Sequence, residues 1–359
     1  MKRHFEVLDG LRGTAALLVV AFHLLGSFFH NYHDNPLRHG YLAVDFFFLL
    51  SGFVVGYAYD DRWPALTVRD FLRLRLVRLH PLVVLGIAVA GTCYWFDPYV
   101  DGGLQRGAGL KLVLSMALGA LLLPSPPLPN RIAMTHSLNS PGWSLLQEYL
   151  ANIAYAIVGR RLGPRALLAV VALAGTALVI LAVHHGHLHG GWRWDNLRIA
   201  PVRMAFPFAA GLLLYRRGIR IRLPGAYWVL SVLLGAVLAA PAFQPAGPYE
   251  AFCVVVVFPF IVAAGAGTYS AGQLGGLCRA AGRLSYPLYL LHFPFVEIFA
   301  HWVNATNPSF PRAAAMMGAL FGFFLVLAWA ALRFYDAPVR TWLSARAQRQ
   351  QPTPQLRNG

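Results

Sequence analysis

Leu8-Asp9-Gly10-Leu11-Arg12-Gly13-Thr14-Ala15-Ala16-Leu17-Leu18-Val19-Val20-Ala21-Phe22-His23 starts polar and turns apolar after Thr14. Extended to residue 29, the run is long enough to cross a hydrocarbon core of about 30 Å as a helix. It carries two residues that a membrane tolerates poorly, Arg12 and His23. Titratable groups in such surroundings are costly and mark function by default. Glu6, Asp9 and Arg12 interrupt the region between the basic start at Lys2 and Arg3 and the apolar run, and no A-x-A cleavage pattern follows. The helix is therefore expected to stay in the mature protein.

The rest of the chain repeats the pattern. Of its 359 residues 57% are hydrophobic and only 12% charged, with a mean hydropathy of +0.54. Soluble domains run near a quarter charged. Apolar stretches fall near residues 8–29, 40–59, 76–96, 109–124, 143–158, 166–184, 200–215, 224–241, 249–267, 284–304 and 312–334. Basic residues gather between them: Arg62 to Arg78, Arg160 to Arg165, Arg216 to Arg222, Arg279 with Arg283, and Arg340 to Arg349. Lys and Arg mark cytoplasmic loops and meet anionic lipid head groups there. The net charge of +16 is accounted for in this way, and no nucleic-acid-binding module pattern accompanies it.

Orientation exposes a parity problem. The third stretch leaves the chain outside, while Arg160 and Arg161 belong inside, yet two short apolar segments lie between. One of 109–124 and 143–158 is therefore expected to be re-entrant or interfacial, with 143–158 the better full span. The expected fold is an all-α integral membrane protein of about ten transmembrane helices plus one such segment. Residues 1–343 form one membrane domain, both termini are cytoplasmic, and 344–359 form a polar, disordered tail. Cys93, Cys253 and Cys278 are single and widely spaced, which suits packing rather than metal or disulfide chemistry. His184, His185, His187 and His189 cluster in an outer loop, where a solvated loop is favoured over a metal site. No metal is expected.

Arg12 and His23 are eleven positions apart, nearly on one helix face and separated by about 16 Å along the axis. They cannot act on one atom. Asp9 is at i,i+3 from Arg12 and can hold its guanidinium. The second stretch runs the opposite way, which sets Asp45 at the depth of His23, with Glu148 level with both. A carboxylate beside a histidine fixes its tautomer and raises its basicity, as a general base needs. His23, Asp45 and Glu148 are the catalytic candidates. The segment Arg69 to His80 is basic and amphipathic. It suits a lipid-facing anchor, or a phosphate site in which Arg75 and Arg78 would act with Arg12. Ser285-Tyr286-Pro287-Leu288-Tyr289-Leu290-Leu291-His292 is polar for a span, and Pro287 is expected to break the helix where it lines a cavity.

These residues resemble the membrane acyltransferase-3 family, bacterial enzymes that O-acylate surface glycans and related acceptors. LDGLRGTAALLVVAFH carries the family's Arg, ten residues, then His. GYLAVDFFFLLSGFVV resembles its second-helix motif through Asp45, Ser51 and Gly52, and SPGWSLLQEYL its W-S-L-x-x-E motif through Trp143, Ser144 and Glu148. RLRLVRLHPL resembles its basic stretch, with His80 where an aromatic is more usual. GRLSYPLYLLHFP matches the late S-Y-x-x-Y-L-x-H motif, and YDAPVR the last-helix ending, with Asp336 where Glu is common. The resemblance implies about ten helices in the bacterial inner membrane. It also implies acyl-CoA, usually acetyl-CoA, as a donor reached from the cytoplasm, and transfer to a hydroxyl of a glycan or small-molecule acceptor. It points to the type without an appended soluble domain. Ser51, Trp143, Ser144, Ser285, Tyr286, Tyr289 and His292 are the expected cavity residues. The rival reading is a transporter with Arg12, Asp45 and Glu148 as a relay, but the paired broken helices of inverted repeats are not visible.

Overall fold

The computed structural model describes residues 4–29, 34–99, 108–131, 133–270 and 272–349. Helices carry the architecture, and no β-strand occurs among the described residues; an isolated bridge pairs Met134 with Arg193.

The first helix, α1 (Glu6–Phe28), runs through the middle of the bundle. Its residues divide between two cores. Leu11, Ala15 and Val19 join one with Phe46, Leu49 and Phe258. Ala16, Val20 and Leu24 join another with Phe299, Met317 and Phe324. Stripes at i, i+4, i+8 on adjacent faces explain how one helix serves both.

Helices approach most closely where side chains are smallest, the usual means of association in lipid. α1 crosses α11 (Gly272–Leu291) at Gly13, where an added Cβ would stand 2.5 Å from that of Ala281. α2 (Ala43–Tyr59) crosses α7 (Ile199–Arg217) through reciprocal glycines. A Cβ on Gly52 would meet the Phe208 carbonyl oxygen at 2.0 Å, and one on Gly211 the Leu49 carbonyl oxygen at 2.0 Å.

α3 (Val68–Trp95) begins in a capping box: Thr67 Oγ1 accepts from the Asp70 amide at 3.1 Å, and Asp70 Oδ2 accepts from the Thr67 amide. This satisfies two amides of the helix start reciprocally. α4 (Ala108–Ala120) lies along only the later half of α3, with Met116 against Gly91 and Gly119 against Ile87. Leu122, at φ 55°, then turns the chain back. The Tyr94 hydroxyl donates to the Pro129 carbonyl at 3.3 Å, and the Arg131 guanidinium sits 5.4 Å from the Tyr94 ring. Thirteen residues rise only about 20 Å, so segment 109–124 forms a hairpin on one end of α3.

α5 (Gly142–Ile157), α6 (Pro164–His185) and α8 (Ala226–Leu238) follow the same bundle. α9 (Gly247–Phe252) continues through a π turn at Cys253–Val257 into α10 (Phe258–Gly267). Six helical stretches among the described residues are long and apolar enough to cross a membrane: Glu6–Phe28, Gly40–Ala65, Val68–Trp95, Pro164–His185, Gly247–Gly267 and Phe310–Arg346. The other expected spans are shorter or are diluted by charge, as by Arg203, Arg216 and Arg217 in α7.

Two expectations are corrected. Segment 284–304 is not one span broken at Pro287. α11 runs through Pro287 to Leu291, and the chain bends at His292 before α12 (Phe293–Thr306), whose first turn contains Pro294. The His292 amide still reaches the Leu288 carbonyl at 3.3 Å, so Pro287 costs α11 a bond without ending it. α13 (Phe310–Ala331) passes through a π turn, Leu332–Asp336, into α14 (Ala337–Arg349). Helix therefore replaces the beginning of the expected disordered tail, and residues 350–359 lie outside the described ones.

Candidate functional site

A cavity of about 900 Å³ opens between α1, α2, α3, α5, α11 and the α13–α14 turn. It is lined by five arginines, Arg12, Arg75, Arg78, Arg283 and Arg340, and by Ser51, Ser144, Glu148, Ser285, Tyr286, Tyr289 and Asp336. Nine of the thirteen expected site residues thus share one space.

Arg12 is held on three sides. Its Nε donates to Ser285 Oγ at 3.0 Å, its Nη2 to the Gly282 carbonyl at 2.6 Å, and Asp9 Oδ1 lies 3.3 Å away. Arg75 is buried, and its Nη2 donates to Glu148 Oε1 at 2.7 Å; Ser51 Oγ donates to the same oxygen at 3.0 Å. Arg78 lines the cavity without a hydrogen bond or ion pair among the described residues. Arg69 and Arg73 point to the outside. The basic segment is thus divided, its outer face suited to head groups and its inner face to anions in the cavity. At the inner end Ser144 Oγ donates to the Pro141 carbonyl at 3.0 Å and lies 2.8 Å from the Tyr289 hydroxyl. The Tyr286 hydroxyl donates to the Leu79 carbonyl at 2.7 Å.

His23, Asp45, Trp143 and His292 stand outside this lining. The expected partnership of His23 with Asp45 or Glu148 is not what the structure contains. Asp45 is fully buried and paired with Arg203, whose Nε donates to Oδ1 at 3.2 Å and whose Nη2 bonds Oδ2. Arg203 also donates to the Gly190 carbonyl at 2.8 Å and the Tyr41 carbonyl at 2.9 Å, and lies 5.4 Å over the Trp143 ring. Matching depth put Asp45 level with His23, but depth leaves the direction around the helix open, and a buried guanidinium holds a carboxylate more tightly than an imidazole does.

The neighbour of His23 is His292. Their ring centroids are 5.3 Å apart at 35°, with Phe293 at 5.3 Å and Phe22 at 5.0 Å completing the aromatic surround. His292 Nδ1 donates to the Leu288 carbonyl at 3.0 Å. In the neutral ring this leaves Nε2 as a bare acceptor, and that atom is buried with no hydrogen-bond partner. Tyr289 stands 6.2 Å from His292, so a file of rings leads from the cavity to His23.

Arg203 and Glu250 were not among the expected residues. Glu250, wholly buried, takes His39 Nδ1 at 3.2 Å, the Tyr41 hydroxyl and the Leu188 amide. Both are charges inside apolar stretches, and the rule that selected Arg12 would have found them. The histidine cluster divides: His184, His185 and His187 are exposed, while His189 stacks on Tyr41 at 4.5 Å. Burial lowers the His189 imidazole to about 4, so it stays neutral. No group of three ligating side chains could hold a metal among the described residues, and the three cysteines are free and buried.

The acyltransferase-3 family model, described as an acyltransferase domain, matches residues 5–333. "Acyltransferase MdmB" of Streptomyces mycarofaciens is 27% identical over 87% of this chain and 84% of its own length. "Protein 2 in picA locus" of Rhizobium radiobacter is 34% identical over 50% of this chain and 94% of its own. "Peptidoglycan O-acetyltransferase OatA" of Listeria monocytogenes is 22% identical over 94% of this chain, which spans 56% of that protein. No solved structure matches the chain.

Proposed function

The chain belongs to the acyltransferase-3 family of membrane proteins, and on that premise we propose that it moves an acyl group, acetyl by preference, from cytoplasmic acyl-CoA to a hydroxyl of a cell-surface glycan or related acceptor. The observation that carries this reading is the cavity lined by five arginines with a file of rings at its inner end. Arg12, Arg75 and Arg78 hold the phosphates of the donor, a task suited to guanidinium forks. The arm of the donor extends past Ser144 and Tyr289 and brings its thioester toward His23.

His23 is the general base. It takes the proton of the acceptor hydroxyl as that oxygen bonds to the thioester carbonyl carbon. The C–S bond then breaks, and the proton passes from His23 to the departing thiolate, giving an ester and free CoA. His292, with its tautomer fixed, stands where a carboxylate was expected. Glu148 is drawn from the catalytic set into the donor site, because its carboxylate fixes Arg75. Asp45 and Glu148 are each held by an arginine, which favours the enzyme over a transporter that would use them as a relay. The protein lies in the bacterial inner membrane with both termini cytoplasmic, which sets the mouth of the cavity on the donor side.

The test is reconstitution of the full chain in vesicles with radiolabelled acetyl-CoA. Transfer of label to a hydroxyl-bearing acceptor, with release of free thiol, is the expected result. His23→Ala should lower transfer about 10²–10⁴-fold while CoA still binds. Turnover retained by His23→Ala removes the base from the proposal, and absence of thiol release by the wild type removes the donor.

A further inference from the structure

One carboxylate in the cavity is out of character with its surroundings. Asp336 sits at the end of the π turn Leu332–Asp336, and such an inserted residue re-aims the side chains beside it. The residue is 2% exposed and lines the cavity. Its Oδ2 accepts from Arg340 at 3.0 Å, whereas Oδ1 is buried without any hydrogen-bond partner. Arg78 lines the same cavity, yet no ion pair joins it to Asp336 among the described residues.

Asp9 and Glu148 serve a phosphate pocket by holding its arginines, but a buried carboxylate oxygen that holds none, as Asp336 Oδ1 does, only repels phosphates. An unmade bond to a buried charged acceptor is also costly. The pairing makes sense for a ligand that offers phosphate oxygens to the arginines and an N–H or O–H donor to Asp336 side by side. A nucleotide does this, through its ribose hydroxyls and exocyclic amine. A phosphopantetheine arm carried on a protein offers the phosphate and no nucleoside. Resting on the reading of this cavity as the donor site, we propose that Asp336 recognises the nucleoside of the donor through a hydrogen bond to Oδ1. The residue thereby selects a nucleotide thioester over a carrier-bound one.

Equilibrium binding of radiolabelled CoA and of 4′-phosphopantetheine to the full chain in nanodiscs tests this. Asp336→Ala should weaken CoA about tenfold or more, the range of a hydrogen bond to a charged group, while 4′-phosphopantetheine, relieved of a repelling charge, binds no more weakly than before. If Asp336 only balances the arginines, the same substitution removes a negative charge and tightens both ligands. That result, or no change in either, overturns the proposal. The wild type gives a second measurement that does not depend on how the variant folds: CoA should bind at least about tenfold more tightly than 4′-phosphopantetheine, and equal affinities overturn the proposal too. A wild-type protein that binds neither ligand sinks the donor-site reading itself, a result distinct from the failure of Asp336 alone.

Discussion

The Arg203–Asp45 pair and the Arg75–Glu148 pair use the same two functional groups, yet their surroundings differ. Arg203 and Asp45 side chains are 1% and 0% exposed, and the guanidinium spends its other donors on two backbone carbonyls. Arg75 is 5% exposed but Glu148 is 21% exposed, and both line the cavity. The first pair has no room for a third party. The second shares its carboxylate with Ser51 and keeps a guanidinium Nε that is buried and unpartnered. A buried charge pair therefore says little about function until the space around it is known. The closed pair is a clamp between α2, α7 and the loop after α6, and the open pair is part of a binding wall.

That contrast can be broken most severely at the closed pair. Arg203→Ala leaves the Asp45 carboxylate buried and alone, at a cost of about 3–5 kcal/mol. Thermal unfolding in detergent should show a large fall in Tm or no folded protein at all. An unchanged Tm would remove the distinction. The open pair should respond less in stability and more in binding. Arg75→Ala leaves Glu148 in reach of water, so the loss is about 1–2 kcal/mol, while CoA affinity falls about tenfold, read by the nanodisc assay. Arg69, on the outward face of the same basic segment, supplies the lower bound. Arg69→Ala should change stability by less than about 0.5 kcal/mol and leave CoA affinity untouched; a loss like that of Arg75 would mean that the segment binds the donor along its whole length.

Much of this was legible in the residues. Long apolar blocks define membrane helices because the bilayer penalises anything else, and the family's ordered motifs collect Arg12, Arg75, Arg78, Ser51, Glu148 and Tyr289 into one cavity. What could not be read was pairing across helices. Counting residues along a span gives a rough depth and no more: Glu148 bonds Ser51 and Arg75 in the cavity, and Ser51 is six residues along α2 from Asp45, which lies outside that lining as His23 does. Rotation about the helix axis depends on which neighbour packs where, and Arg203, unremarked in its own stretch, decides it for Asp45. The bend falls at His292 and not at Pro287 for a related reason. A proline inside a membrane helix removes one hydrogen bond, but whether the helix ends depends on the next residues, and here Pro294 begins a new first turn.

The reciprocal glycines where α2 meets α7 have a mechanical consequence. Backbone rests on backbone at Gly52 and Gly211, with no side chain between to compress or swing aside. The two helices are riveted, and they carry the clamped Asp45 and Arg203 with them. α2 is one wall of the cavity, so that wall is an anvil. Any give needed to admit a bulky cargo falls to the other walls, among them the one where α13 passes through its π turn at Asp336.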